Sequence, residues 1–333
     1  MSAPKNVRPR FLHTSRIIVS TPGMHEMAAE IAAIVWEKHH NKMAHMRIEQ
    51  KEFGNGESLP LIPETVRGEY VFLLCALQYP HPDIAFMRML RTANALRLAS
   101  AKGITLVLPY FSYARQDRKA RPREPISARL NADLIERNTS IDRVIVSDLH
   151  AAQVQGFFSI PVDDLPVLSA QEKYLRRYFN DDLSAVTVVT PDMGGNKRAE
   201  QMATRLGTPI AIIDKRRKQD GEAETFAIIG TIVGRDCVII DDMVDGGGTL
   251  RNAISDLAAH GAKSVTAVVT HAILSGQAIE KFRASGTTII ATQTIPREPL
   301  FRDENRDWLQ FVPIEPVFAD AIHEASIIGG LDQ

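Results

Sequence analysis

Short apolar runs rich in β-branched residues alternate along the chain with longer amphipathic stretches. Val71 to Leu77, Ile104 to Leu108, Val144 to Val146, Val186 to Val189, Ile210 to Ile213 and Val238 to Ile240 read as buried strands. A strand covered on both faces shows an unbroken apolar run instead of alternation, and that is the mark of a parallel sheet. Met24 to His39, Ile84 to Ala101, Ser127 to Glu136, Gly195 to Leu206 and Leu250 to His260 read as helices. Gly261 follows the last of them as a C-cap. Repeated βα alternation predicts an α/β chain built from two doubly wound parallel-sheet domains. Pro161 and Pro166 interrupt the pattern, so the expected division is a 1–15 extension, a 16–165 domain and a 166–333 domain.

Composition removes whole classes of function. A chain of 333 residues with 44% hydrophobic and 24% charged positions is long enough for two cores. Its formal net charge of −1 argues against a general nucleic-acid binder. No apolar run approaches the roughly 18 to 20 residues of a membrane span. Both cysteines, Cys75 and Cys237, stand in apolar runs, as small hydrophobes do. A reducing, cytoplasmic setting is expected. Lys5, Arg8, Arg10 and Arg16 precede the first acidic residue, Glu26, and read as a basic extension with some likeness to an organellar presequence.

Ligands of doubly wound sheets bind beyond the carboxyl ends of the strands. The residues just past each strand are therefore where the site is to be sought. Asp148-Leu149-His150 comes after one strand and Pro191-Asp192-Met193-Gly194-Gly195 after another; Lys215-Arg216-Arg217 and Asp241 to Thr249 come after two more.

The strongest of these is DDMVDGGGT, Asp241 to Thr249. The glycines let main-chain N–H groups close around a phosphate, and a helix start adds its dipole. Carboxylates would repel that phosphate, so Asp241 and Asp242 suit sugar hydroxyls, which they accept in charge-assisted hydrogen bonds. The bland alternative, a tight turn, needs neither the paired aspartates nor Gly246, Gly247 and Gly248. The stretch resembles the 5-phosphoribosyl 1-diphosphate (PRPP) fingerprint shared by phosphoribosyltransferases and PRPP synthetases, and does not choose between them.

A second segment does. Tyr113 to Arg129 reads YARQDRKARPREPISAR, in which Pro122 and Pro125 oppose a regular helix, leaving a basic loop suited to a polyphosphate. YARQDRK followed by REPISA is similar to the ATP loop of ribose-phosphate pyrophosphokinases. The likeness extends to Phe53-Gly54-Asn55-Gly56-Glu57, Asp148 to Asp163, Pro191 to Ala199, Ile212 to Arg217 and Thr270 to Gly276, in the expected order.

That resemblance implies phosphoribosyltransferase-like domains and transfer of the β,γ-diphosphate of MgATP to ribose 5-phosphate, giving PRPP and AMP. It implies ATP contacts from Phe53, Asn55, Glu57, Arg115, Gln116, Asp117 and His150. Ribose 5-phosphate falls to Asp241, Asp242, Asp245, Gly246, Gly247, Gly248 and Thr249. The implied Mg²⁺ ligands are His150 and Asp192, with Asp148 and Asp163 nearby. Lys215 and Arg217 match a catalytic pair at the base of a flap running to Glu224, and His150 is grouped with them. A homo-oligomer, a hexamer by resemblance, would complete each ATP site from a neighbouring subunit. Gly246 stands where the family commonly has threonine, and Ser159 where it commonly has aspartate. A phosphoribosyltransferase, or a non-catalytic regulatory paralogue, is the alternative; release of AMP from ATP separates them.

Overall fold

The computed structural model describes residues 16–77, 81–191, 196–216 and 225–328. The first sheet contains β1 (Arg16–Ser20), β2 (Ala44–Arg47), β5 (Tyr70–Leu74), β6 (Gly103–Leu108), β7 (Ile141–Ser147) and β8 (Val162–Leu165). They are ordered β2-β1-β5-β6-β7-β8, and every pairing is parallel. β3 (Glu49–Glu52) and β4 (Ser58–Leu61) form a separate antiparallel hairpin.

Side chains of successive strand residues leave opposite faces, which explains why apolar runs mark these strands. Val71, Leu73, Leu106, Val144 and Val146 pack on one face with Phe86, Met89 and Ala93 of α2 (Pro82–Leu98) and Ala128 and Ile135 of α3 (Ser127–Asn138). Ile18, Phe72, Leu74, Val107 and Ile145 pack on the other with Met27, Ile31 and Val35 of α1 (His25–His39).

The second sheet runs β11-β10-β9-β12-β13-β14-β15. Its strands are β9 (Val186–Thr190), β10 (Ile210–Arg216), β11 (Thr225–Ile229), β12 (Asp236–Val244), β13 (Ser264–Ala272), β14 (Thr288–Thr292) and β15 (Leu309–Val312). Among the described strands of this sheet, only the β10–β11 strand pairing is antiparallel. α4 (Leu168–Tyr178) and α5 (Asn196–Leu206) cover Val188, Val238, Ile240 and Val268. α6 (Gly248–Ala259) and α7 (Ala278–Ser285) cover Val189, Ile239 and Val269 on the opposite face. A short helix, α8 (Pro299–Asn305), precedes β15.

The C-terminal helix departs from the expected grouping. α9 (Glu315–Ile328) comes after the second sheet in the chain, yet Phe318, Ala319 and Ile322 complete the core beneath α1 on the first sheet. Burying side chains of the size of Phe318 and Ile322 stabilises this return crossing by roughly 1.5–3 kcal/mol each. Asp320 then accepts from Lys38 Nζ at 2.6 Å and lies 2.8 Å from His39 Nε2. The 166–333 segment therefore supplies part of one helical layer of the first domain, beside α1.

No helix of the described residues is long and apolar enough to cross a membrane. Cys75 and Cys237 are buried free thiols, with burial pushing Cys75 up to about 12 and Cys237 up to about 11.

Candidate active site

A cavity of about 810 Å³ opens between the two sheets, lined by Arg115, Asp148, His150, Arg198, Asp241, Asp242 and the loop from Asp245 to Thr249, among others. Carboxyl ends of β7 and β12 face it, the edge at which doubly wound sheets bind ligands.

The loop after β12 turns into α6 at Gly247, which holds φ 75° as the helix N-cap. A Cβ there would lie 2.4 Å from the Phe282 ring, so glycine is required by space as well as by backbone. A Cβ at Gly246 or Gly248 would meet nothing within 4 Å. Asp241 accepts from the backbone N–H of Asp242 at 2.8 Å.

Side-chain contacts join the end of β12 and this loop to the first domain. His150 Nδ1 lies 2.6 Å from Asp242 Oδ2. Arg115 Nη1 donates to Asp245 Oδ2 at 2.9 Å, and Ser275 donates to the other oxygen of Asp245. Burial alone would raise the Asp242 carboxyl, but the hydrogen bond and charge of His150, together with Asp241 and His271, outweigh it and hold Asp242 at about 2. The same hydrogen bond raises His150 above its ordinary 6.5, against a smaller opposing effect of burial.

A second cavity, about 640 Å³, adjoins through Arg115 and Asp245 and is lined by Tyr110, Ser112, Tyr113, Gln116 and Ile273. Gln116 thus faces the neighbouring cavity, while Asp117 accepts from Gln153 Nε2 at 2.5 Å and lines neither.

Residues 16–138 match a family model described as the N-terminal domain of ribose phosphate pyrophosphokinase. Residues 164–296 match the phosphoribosyl transferase domain. A ribose-phosphate pyrophosphokinase of Hyphomonas neptunium is 45% identical over 282 residues, covering 83% of this chain and 87% of that protein. One of Bradyrhizobium diazoefficiens is 42% identical over 274 residues, covering 82% and 84%. The chain belongs to the ribose-phosphate pyrophosphokinase family. A crystal structure of phosphoribosylpyrophosphate synthetase from Mycobacterium smegmatis matches at TM-score 0.82 and 34% identity, covering 94% of this chain and all 100% of the other.

Within this pyrophosphokinase fold, the remaining expected site residues take the following places. Asp163, expected near the metal, sits in β8 and pairs with Arg143 Nη1 at 2.6 Å on the adjacent strand. It does not line the cavity, because alternation along β8 turns its neighbour Asp164 toward the turn that carries His150. Asp164 accepts from the Leu149 N–H at 3.1 Å, and its carboxyl is raised by burial. Asp148 is buried, and its carboxylate is already bonded to Arg198 and Thr270. Phe53, Asn55 and Glu57 project on the β3–β4 hairpin, exposed and outside both cavities.

Lys215 lies in β10 with its main chain opposite Phe226; its side chain, together with Asp192, Arg217 and the flap to Glu224, lies outside the described residues. Sequence reasoning missed Arg198, Asp164 and Thr270. Arg198 stands inside the quoted Pro191 to Ala199 motif, and only that proximity could have singled it out.

Proposed function

We propose that this chain transfers the β,γ-diphosphate of ATP to the anomeric hydroxyl of ribose 5-phosphate, releasing AMP and forming PRPP. The observation that carries the reading is the meeting of an ATP-type loop and a phosphoribose loop across one cavity, at Arg115–Asp245 and His150–Asp242.

Main-chain N–H groups of Gly246 to Thr249, at the N-terminus of α6, cradle the 5-phosphate. Asp241 and Asp242 accept from the ribose hydroxyls, and this fixes the anomeric oxygen. Arg115 and Gln116 hold the nucleotide phosphates. The anomeric oxygen then bonds to the β-phosphorus as the bond from the α–β bridging oxygen to that phosphorus breaks; the bridging oxygen leaves on AMP and the hydroxyl proton is released to solvent. Little covalent chemistry falls to the protein, so alignment and charge stabilisation dominate. Lys215 and Arg217 supply that charge from the flap and exclude water.

A divalent cation fits the donor set. The described residues hold no group of three or more His, Cys, Asp or Glu that could grip a metal alone. A Mg²⁺ carried on the nucleotide phosphates needs few protein ligands because it keeps its waters. With Nδ1 engaged by Asp242, His150 has Nε2 left to offer, and Asp192 is the second candidate. When bound, the ion neutralises charge on the phosphoryl oxygens.

The exposed Phe53–Glu57 hairpin supports a further part of the reading: a second copy of the chain, in a hexamer, brings these residues to the nucleotide. A cytoplasmic location accords with both free thiols.

Purified protein with Mg²⁺, ATP and ribose 5-phosphate should release AMP and PRPP in equal amounts. ADP as product would mean simple phosphoryl transfer and overturn the reading; no turnover would favour a regulatory paralogue.

A further inference from the structure

Asp148 has the left-handed φ of 44°, uncommon for a residue other than glycine, in the turn that carries His150. Such a conformation persists only where the surroundings over-determine it. Here they do so from the other domain. Its Oδ2 accepts from Arg198 Nη1 at 2.5 Å and from Thr270 Oγ1 at 2.6 Å. Its carbonyl oxygen lies 3.2 Å from His271 Nε2. A carbonyl only accepts, so Nε2 carries a proton toward Asp148, while Nδ1 lies 2.9 Å from the Thr294 hydroxyl. Burial holds His271 below its ordinary value, consistent with a neutral ring. From the first sheet comes one bond, the Asp148 N–H to Leu165 O at 3.3 Å.

We infer that Arg198 is a positioning residue: by neutralising buried Asp148 across the domain seam, it fixes the turn that aims His150 at Asp242. The inference rests on the proposed diphosphoryl transfer for its kinetic consequence, but its geometry stands apart from it. Arg198 is the cation paired with the Asp148 carboxylate, two residues before His150. Thr270 and His271 lie on β13, and their bonds hold the turn while its carboxylate is compensated. Without Arg198, a buried carboxylate would keep one hydroxyl donor and lose its charge partner. Relief comes by swinging the turn toward water. His150, next but one in the chain, moves with it.

The test is a double-mutant cycle. Arg198→Gln should lower kcat about 10²-fold, as a small misplacement of an aligned group does, with smaller changes in both KM values. Asp148→Asn keeps an acceptor for Thr270 and tolerates the left-handed backbone. Added to Arg198→Gln, it removes the uncompensated charge and should recover about tenfold in kcat, the coupling typical of one network. If Arg198 instead grips substrate, the second change recovers nothing and the ATP KM rises; that outcome overturns the inference. Unchanged kcat in Arg198→Gln with a lower Tm would overturn it too, leaving a purely structural ion pair.

A readout independent of turnover keeps the two readings separable. The His150 imidazole resonances, assigned by their loss in His150→Gln, should shift in Arg198→Gln and return toward wild type in the double variant. Wild-type protein that makes no AMP would sink the proposed function, while these resonances would still decide the role of Arg198. Resonances unmoved by Arg198→Gln would refute it.

Discussion

His150 Nδ1 lies 2.6 Å from Asp242 Oδ2, and the two residues come from different sheets, 92 positions apart. One was expected to serve ATP and its metal, the other the ribose hydroxyls. Their contact means that neither can be changed for one substrate alone.

Asp242→Ala should therefore weaken both substrates and lower kcat, since it removes a sugar acceptor and frees the His150 ring. Asp241 bonds locally to the Asp242 N–H, so Asp241→Ala should raise the KM for ribose 5-phosphate more than that for ATP. Steady-state titration of each substrate checks the contrast. Equal effects of the two variants on ATP would refute the division.

Neighbouring glycines of the phosphate loop should behave oppositely. Gly247→Ala places a methyl 2.4 Å from Phe282 at φ 75°, so the loop must move, and ribose 5-phosphate affinity should fall at least about tenfold. Gly246→Ala meets open space and has no positive φ, so it should stay within a few-fold of wild type. Calorimetric titration with ribose 5-phosphate measures both.

Lys215→Ala should reduce kcat by about 10²-fold or more while leaving ribose 5-phosphate binding nearly intact, as for a charge used mainly in the transition state. Near-normal turnover would show that the flap cation takes no part in the transfer.

Glu315 predicts a pH effect on stability. It is 2% exposed at the start of α9, with Oε2 buried and unbonded, and its carboxyl is raised above 4.5 chiefly by burial. The folded state thus binds this proton more tightly than the unfolded state. Its contribution is most favourable below 4.5 and is lost as pH rises through the higher folded value. Glu315→Gln should keep the neutral form at every pH, so its advantage over wild type should grow across that window. Denaturant midpoints over a pH series measure it; a constant difference would show that Glu315 titrates normally.

The place of the candidate site was legible in the sequence because a buried parallel strand is an apolar run and its ligands sit beyond its carboxyl end. Asp148, His150 and the Asp241 to Thr249 loop were found that way, and the cavity gathers them. Which group compensates which was not legible. Arg198 and Thr270 reach Asp148 from 50 and 122 positions away, and sequence spacing carries no information about a seam between two sheets. Adjacent aspartates were equally ambiguous: Asp163 meets Arg143 and Asp164 meets Leu149, a choice made by which way β8 faces. The apolar stripe of α9 required burial but named no surface. Only the tertiary structure decided that Phe318 and Ile322 close the core of the first sheet, because any sufficiently apolar, complementary face satisfies such a stripe.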